Sequence, residues 1–338
     1  MPQFLRQEFL SCSGLEIMFF ALNLQKKCGM QQREKDEWYM RRCLQLARCG
    51  FYGARPNPMV GAVIVAGGRI IGEGYHVRCG EGHAEVNAFA SVSEQDEALL
   101  PAATMYVSLE PCAHYGKTPP CAELIIKKGV ARVVVGCVDP FAKVQGRGIQ
   151  MLREAGIEVT VGVLEAECRW LNRRFFTFHQ HQRPYILLKW AQTADGFLDD
   201  HGQAVAVSTP LTRMLVHQLR AEYEAIVVGR VTEEREHPQL NVRYWSGPNP
   251  VKMVLSRSFG MEQVIAACRE QGLQSLMVEG GGITLRSFID AGLWDEIRVE
   301  TGSCRVGGGT PAPEIPSAAV LLSEEVVDGN RIARFARR

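Results

Sequence analysis

The chain has 338 residues and a mass of 37.6 kDa, more than one hydrophobic core organises well, so length predicts two domains of ordinary size. Its 46% apolar and 22% charged residues match globular averages and exclude the disordered, collagenous and coiled-coil classes. With 38 Lys and Arg against 37 Asp and Glu, the net charge of +1 leaves no footprint for a polyanion or an acidic membrane surface, so neither nucleic acid nor membrane is an expected partner.

The eleven cysteines are scattered and odd in number, unlike the dense frameworks of small secreted domains. A reducing, cytoplasmic setting suits them, with some thiols free to bind metal. The longest early apolar stretch, residues 15–24, is interrupted by Glu16 and Asn23, is too short to span a bilayer, and has no basic region or small-residue cleavage site beside it. Residues 1–30 are therefore expected to be an extension outside the fold, with Met18 and Met30 as alternative starts; a weak signal peptide is the other reading.

From residue 35, Trp38, Cys43, Leu44 and Ala47 recur at helical spacing and the run stops at Gly50, which predicts a first helix. Residues 59–66 and 70–74 predict paired strands around Gly67-Gly68, followed by a helix over 83–90 and a strand over 104–109. Pro119-Pro120 opens a helix to residue 128, since proline suits a first helical turn. A strand at 132–136, a helix near 148–155 and a strand at 158–163 follow. The polar stretch 179–183, ending at Pro184, is the expected boundary between a domain of residues 31–182 and one of residues 183–338. The second series reads as strand 185–189, helix 210–222, strands 225–229 and 251–256, helix 261–271, strand 275–279 and helix 283–291. Such alternation predicts a mostly parallel α/β sheet in each half.

His83-Ala84-Glu85 stands at a predicted helix start, Pro111-Cys112 follows a predicted strand, and Cys121 opens the next helix. One imidazole and two thiolates leave a tetrahedral zinc with an open fourth position for water. Zinc lowers the pKa of such a water toward neutrality, and Glu85, two residues after the ligand, is placed to move protons without binding the metal. His-x-Glu followed by Pro-Cys is the layout of zinc-dependent nucleobase deaminases. A helix start favours thiolate, so Cys121 is the cysteine expected to gain from it. His76 and His114 lack the metal spacing and read as structural or solvent-facing.

Asn57-Pro58-Met59-Val60-Gly61, His83-Ala84-Glu85-Val86 and the run from Pro111 through Gly116-Lys117-Thr118-Pro119-Pro120 to Cys121 resemble the deaminase half of the bifunctional riboflavin biosynthesis deaminase/reductase family. Most deaminases of cytidine, of adenosine in tRNA or of single-stranded DNA place two residues between the cysteines, whereas the eight-residue gap here is typical of the family it resembles. The resemblance implies an N-terminal cytidine-deaminase-like three-layer α/β/α domain in which Asn57 contacts the pyrimidine. Asp139, Lys143 and the Gly146-Arg147-Gly148 turn resemble the family's later loop near the substrate, with a plain loop role left open for Asp139 and Arg147.

In the second half, Lys189 to Gly196, Thr209-Pro210, Leu219-Arg220-Ala221, Gly229 to Thr232, Pro238 to Arg243 and Glu279-Gly280-Gly281-Gly282 resemble the family's reductase, a dihydrofolate-reductase-like α/β domain. A strand ending at Glu279, three glycines and a helix start let backbone amides approach a phosphate. No G-x-G-x-x-G follows the domain's first strand, so NADPH rests on the resemblance. By that resemblance Arg220, Leu240, Arg243 and Glu279 face the phosphorylated sugar, Ala204 lines it, and Lys189 sits near the reacting ribose. Ala191, Ala206, Thr232, Glu236, Gly281, Gly282, Ile283, Thr284, Leu285, Arg286 and Ser287 lie along the cofactor. A solvated arginine on an amphipathic helix is the plain alternative for Arg220.

Three departures from the family pattern stand out. Ala206 replaces a common aromatic, Glu236-His237 replaces an acidic pair before Pro238, and the connection from residue 256 to 261 is short, so a strand or loop is expected to be missing from a shortened domain. The resemblance implies zinc-dependent deamination of a phosphoribosylamino-pyrimidine followed by NADPH-dependent reduction of its ribosyl group, in a homo-oligomer, dimer or tetramer. A deaminase with an inactive second domain kept for oligomerisation, a zinc-stabilised binding module and an RNA-editing deaminase are the competing readings.

Overall fold

The computed structural model describes residues 31–115, 119–140 and 146–338, so the expectations for residues 1–30, for Gly116, Lys117 and Thr118 and for Lys143 lie outside the described residues. Two compact units divide the chain between Gln180 and His181. Among the described residues no helix is long and apolar enough to cross a membrane.

In the first unit, helix α1 (Gln32–Cys49) buries Tyr39, Met40, Cys43, Leu44 and Ala47 at three- and four-residue spacing and ends at Gly50. The strands are β1 (Gly61–Ala66), β2 (Arg69–Tyr75), β3 (Thr104–Leu109), β4 (Arg132–Cys137) and β5 (Glu158–Val161), in the sheet order β2-β1-β3-β4-β5. β3, β4 and β5 run parallel, whereas β1 pairs antiparallel with both β2 and β3. The sheet expected to be mostly parallel is thus half antiparallel. Gly67 and Gly68, both at positive φ, close a hairpin, and so short a turn joins only antiparallel strands.

Side chains alternate across each strand, and both faces are covered. On one face α2 (Ala84–Ala90), α3 (Cys121–Lys128) and α4 (Arg147–Glu154) pack Ala88, Ile125 and Leu152 against Ile64, Val107 and Val135. On the other, α1, α5 (Glu165–Leu171) and α6 (Arg173–His181) pack Met40, Cys168 and Phe176 against Val63, Tyr106 and Val134. This is the three-layer α/β/α arrangement. α5 and α6 are absent from the sequence reading, and α6 runs into the polar stretch taken there as a boundary, because Phe175 and Phe176 bury one side of it. The buried Asp36 carboxylate on α1 accepts from both terminal nitrogens of Arg132 at 2.8 Å and from the Tyr106 hydroxyl at 2.9 Å, tying α1 to β3 and β4.

The second unit contains β6 (Tyr185–Gln192), α7 (Pro210–Glu222), β7 (Ala225–Gly229), α8 (Arg230–Glu236), β8 (Val251–Leu255), α9 (Met261–Glu270), β9 (Ser275–Val278), α10 (Gly282–Asp290), β10 (Glu296–Thr301), β11 (Ala319–Val327) and β12 (Asn330–Arg337). The sheet order is β11-β12-β10-β6-β9-β7-β8. Five strands from β10 to β8 are parallel, and β12 and β11 add an antiparallel hairpin at one edge. α9 and α10 pack Val264, Cys268, Leu285 and Phe288 on Ile186, Leu188, Val227 and Leu276, while α7 packs Leu219 on the opposite face with Leu187, Ile226 and Met277.

The sequence reading did not foresee α8, β10, β11 or β12. The hairpin turn is Asp328-Gly329, both residues at positive φ, the Asp-Gly signal of a two-residue hairpin. The short connection after β8 is a tight turn in which Ser256 N donates to the Phe259 carbonyl at 3.0 Å and Phe259 N to the Ser256 hydroxyl at 3.1 Å. It delivers the chain directly into α9, with β8 fully paired to β7.

Candidate active sites

β3 ends at Leu109 and the chain passes through Glu110-Pro111 to Cys112, while His83 caps α2 and Cys121 begins α3. These three chain ends meet. The ligand atoms of His83, Cys112 and Cys121 all lie within 4.8 Å of one another. His83 Nδ1 stands 3.6 Å from Cys112 Sγ and 3.3 Å from Cys121 Sγ. Tetrahedral zinc with Zn–S near ~2.3 Å and Zn–N near ~2.0 Å requires nitrogen–sulfur separations of about 3.5 Å, so the donor set and its spacing fit that ion. The Cys112 thiol is pulled down to about 4 by the hydrogen bond from Cys121, with His83 adding to it. The helix-start amide of Cys121 donates to Cys112 Sγ at 3.2 Å. The N-terminus of α3, expected from sequence to favour the Cys121 thiolate, therefore also assists Cys112, because the first helical amide has no partner within the helix.

Glu85 lies in the first turn of α2 and is 3% exposed. Burial pushes its carboxyl up to about 7, the range in which a carboxyl both accepts and returns a proton. Asn57 Nδ2 donates to His76 Nε2 at 3.1 Å, and His76 Nδ1 reaches the Gly82 carbonyl at 3.1 Å. Since the amide nitrogen only donates, the His76 proton sits on Nδ1. Asn87 Nδ2 donates to the Tyr75 and Gly82 carbonyls, so the turn that presents His83 is held from two sides. His76 is thus buried structural support, as its lack of metal spacing suggested, and it also orients Asn57.

In the second unit Glu279 follows β9 directly, and Lys189 on the paired strand β6 donates from Nζ at 2.9 Å. Arg220 from α7 reaches both Glu279 oxygens at 3.0–3.1 Å. Burial raises the Glu279 pKa, but Lys189 and then Arg220 outweigh it and hold the carboxyl below its ordinary range. The glycines beyond Glu279 are shaped by close approach. A Cβ on Gly229 would stand 2.4 Å from Thr284 Oγ1, one on Gly280 would stand 2.9 Å from Thr284 Cβ, and one on Gly281 would stand 3.6 Å from Thr232 Oγ1. Thr284 therefore fills the space over Gly229 and Gly280, and Gly281, facing Thr232 of α8, leaves bare backbone at the start of α10, which suits the phosphate of a dinucleotide.

Residues 33–137 match the cytidine and deoxycytidylate deaminase zinc-binding region, and residues 184–324 match the RibD C-terminal domain. The riboflavin biosynthesis protein RibD of Aquifex aeolicus is 38% identical over 79% of this chain and 86% of that protein. The chain belongs to the RibD family. The Synechocystis RibD is 44% identical over 67% of this chain, an alignment that spans 61% of that protein. The Thermotoga maritima diaminohydroxyphosphoribosylaminopyrimidine deaminase/5-amino-6-(5-phosphoribosylamino)uracil reductase superposes with a TM-score of 0.82 at 32% identity, over 91% of this chain and 100% of that one. An Acinetobacter baumannii RibD superposes at 0.79, with 28% identity and the same coverage. The chain is accordingly an enzyme with a zinc-binding deaminase domain and an NADPH-dependent reductase domain.

For this RibD-family chain the structure brings together Lys189, Arg220 and Glu279, and separately Thr232, Gly281, Gly282 and Thr284. Arg243 reaches Asn241 Oδ1 at 2.9 Å, and Arg220 reaches the Asn241 carbonyl at 3.4 Å. Ser287 bonds the Thr284 carbonyl, and Arg286 bonds that of Pro311. Ala191 is half-buried, whereas Ala204, Ala206, Glu236 and Ile283 are exposed. Leu285 and Leu240 point inward. Leu285 is a fully buried member of the core under α10, with its amide bonded to the Gly281 carbonyl, and Leu240 is buried against the α7 face. The helical period that exposes Ile283 and Arg286 turns the Leu285 side chain to the sheet.

Glu110 was missed by sequence reasoning. Its buried carboxylate accepts from the amides of Asp139 (3.2 Å), Gly146 (2.9 Å), Gly148 (3.0 Å) and Ile149 (3.4 Å), joining the β4–α4 connection to the strand end that carries Cys112. The available signal was an acidic residue between a buried strand and Pro111-Cys112, where only converging amides offset its desolvation. Glu110→Ala strands four amides and is expected to destabilise the deaminase unit by about 3 kcal/mol, a fall of at least about 6 °C in its thermal midpoint. Calorimetry checks this; an unchanged midpoint would show that water replaces the carboxylate.

Proposed function

We propose that the chain acts twice on one phosphoribosylated pyrimidine: it deaminates 2,5-diamino-6-(5-phosphoribosylamino)pyrimidin-4-one and then reduces the ribosyl group of the resulting 5-amino-6-(5-phosphoribosylamino)uracil to ribityl. The observation that carries this reading is the pairing, in one chain of this family, of a His-Cys-Cys donor set beside a buried carboxyl with a Lys-Arg-Glu cluster beside a glycine cradle.

His83, Cys112 and Cys121 would hold zinc, which when bound would supply a water activated for attack near neutral pH. Glu85 takes the proton of the attacking water and returns it to the amine leaving C2, so the 2-amino group departs as ammonia and an oxo group replaces it. Asn57, aimed by His76, holds the pyrimidine edge. In the second unit Thr232, Gly281, Gly282 and Thr284 would hold NADPH, which would supply the hydride for C1′ of the ribosylamino group as the C1′–O4′ bond opens and O4′ takes a proton. Arg243 would offer its planar donor fork to the phosphorylated sugar, with Arg220, whose Nε and Nη2 are held by Glu279, adding charge and its Nη1; Lys189 would stand at the reacting ribose. The same reading places the enzyme in the cytoplasm as a homo-oligomer; the free cysteines of the described residues support a reducing compartment.

Zinc-loaded protein given the diamino-pyrimidine ribose phosphate should release ammonia without NADPH and oxidise NADPH once it is added. Ammonia alone would favour a deaminase with an inactive second domain, and no ammonia would overturn the substrate assignment.

A further inference from the structure

The chain from Asn241 to Pro250 has no regular secondary structure, yet it carries Arg243. It leaves the core at Leu240, whose φ of +51° turns the backbone sharply, and its far end is stapled where Val242 N donates to Asn249 Oδ1 at 2.8 Å. What fixes its near end is an imidazole. His217 on α7 is 1% exposed, and its Nδ1 accepts the Arg243 backbone amide at 3.2 Å. Its ring meets the Tyr244 ring edge-on at 4.8 Å. His217 precedes Arg220 by three residues on the same helix, so the two side chains share a face, and Arg220 binds the next carbonyl along, that of Asn241.

From this geometry we infer that His217 is a positioning residue for phosphorylated-sugar binding in the reductase unit: its Nδ1, as acceptor of the Arg243 amide, sets the register of the 241–244 segment against α7, so that Arg243 and Arg220 both reach Asn241, one at its side chain and the other at its carbonyl. The inference rests on the reading of Arg220 and Arg243 as phosphate ligands.

An amide only donates, so Nδ1 must be unprotonated, and the ring serves only while neutral. The groups facing it agree. Burial lowers the His217 pKa first, Arg220 on its own helix and Arg243 on the packed segment lower it further, and the Asn241 backbone and Glu279 oppose them more weakly. Protonation at low pH places a proton opposite the Arg243 amide and breaks the bond. The KM for the phosphorylated substrate should therefore rise as pH falls below the ordinary imidazole range, while the neutral form persists at pH 7.

The test compares His217→Phe, which keeps a ring but removes the acceptor, with His217→Asn, whose Oδ1 replaces Nδ1, and with Arg243→Gln, each in full-length zinc-loaded protein. Reduction of the aminouracil ribose phosphate is followed by NADPH oxidation, NADPH affinity by its fluorescence, and ammonia release serves as an independent check of folding. His217→Phe should raise KM about tenfold, equivalent to about 1.4 kcal/mol, with kcat and NADPH affinity within about twofold. His217→Asn should keep KM within about twofold of the parent and abolish its rise at low pH. If His217→Phe leaves KM unchanged while Arg243→Gln raises it, or if His217→Asn loses as much as His217→Phe, the inference is wrong. Should Arg243→Gln itself leave KM unchanged, the phosphate reading of Arg243 fails first, and the inference with it. If the phenylalanine variant does not fold, the asparagine variant decides alone through its KM and its pH profile.

Discussion

Glu85→Gln is expected to abolish ammonia release, a fall of at least about 10³-fold in turnover, while the protein keeps its full complement of zinc. Two features separate the functions so cleanly. Glu85 is not among the three donor atoms that converge, and its buried carboxyl is the group placed to carry a proton between water and departing amine. Glutamine preserves volume and hydrogen-bonding capacity, so the cavity stays filled and the metal ligands stay in place. Zinc content by atomic absorption and ammonia release are the paired measurements. Zinc-replete mutant protein that deaminates normally would remove Glu85 from the mechanism. NADPH oxidation, assayed with the aminouracil substrate supplied directly, should be unaffected, because that chemistry belongs to the other unit.

Glu279→Gln is expected to do the converse. It removes the carboxylate that faces both the buried Lys189 and the largely buried Arg220, and leaves these two cations without the counter-charge they share among the described residues. Breaking such a buried arrangement from one side costs about 3–5 kcal/mol, against less than about 1 kcal/mol for an exposed pair. The reductase unit should lose at least about 6 °C in thermal midpoint and its NADPH oxidation with it, while ammonia release persists. The pH dependence has a defined sign. The Glu279 pKa is lowered in the folded state, so the unfolded chain binds more protons in the acid range. The stabilisation is complete above the ordinary glutamate range near ~4.3 and is lost as pH falls through the lowered folded value. Glu279→Gln should therefore flatten the acid limb of the stability curve, and an unchanged limb together with an unchanged midpoint would show that the cluster contributes little.

Much of the molecule was legible as spacing. The first helix, the strand over 104–109, the helix over 210–222 and the strand over 225–229 were read from periodicity and punctuation, since amphipathic helices and buried strands write their geometry into the order of apolar residues. The zinc site was legible for a different reason. Metal ligands need particular elements, and His-x-Glu with two cysteines at helix and strand ends leaves few other readings.

β10 shows what spacing cannot reach. Glu296, Arg298 and Glu300 alternate with Ile297 and Val299, and in isolation that reads as a strand with one solvated face. All three charged residues are instead buried: Tyr185 and Arg334 meet Glu296, Ser208 and Asn330 meet Glu300, with partners as far as 111 residues away in the chain, and Arg298 has Glu300 at 3.8 Å as its counter-charge. Glu110 and His217 belong to the same class. One is a carboxylate buried under four converging amides, the other an imidazole whose acceptor nitrogen faces a distant amide.

The sequence alone determined where the apolar faces lie, where the chain turns, and which residues can hold zinc, because those depend on neighbours a few positions apart. The tertiary structure alone decided which polar groups are taken out of water and by what they are satisfied. Desolvation and hydrogen bonding depend on atoms brought together from remote parts of the chain, and no local period records them.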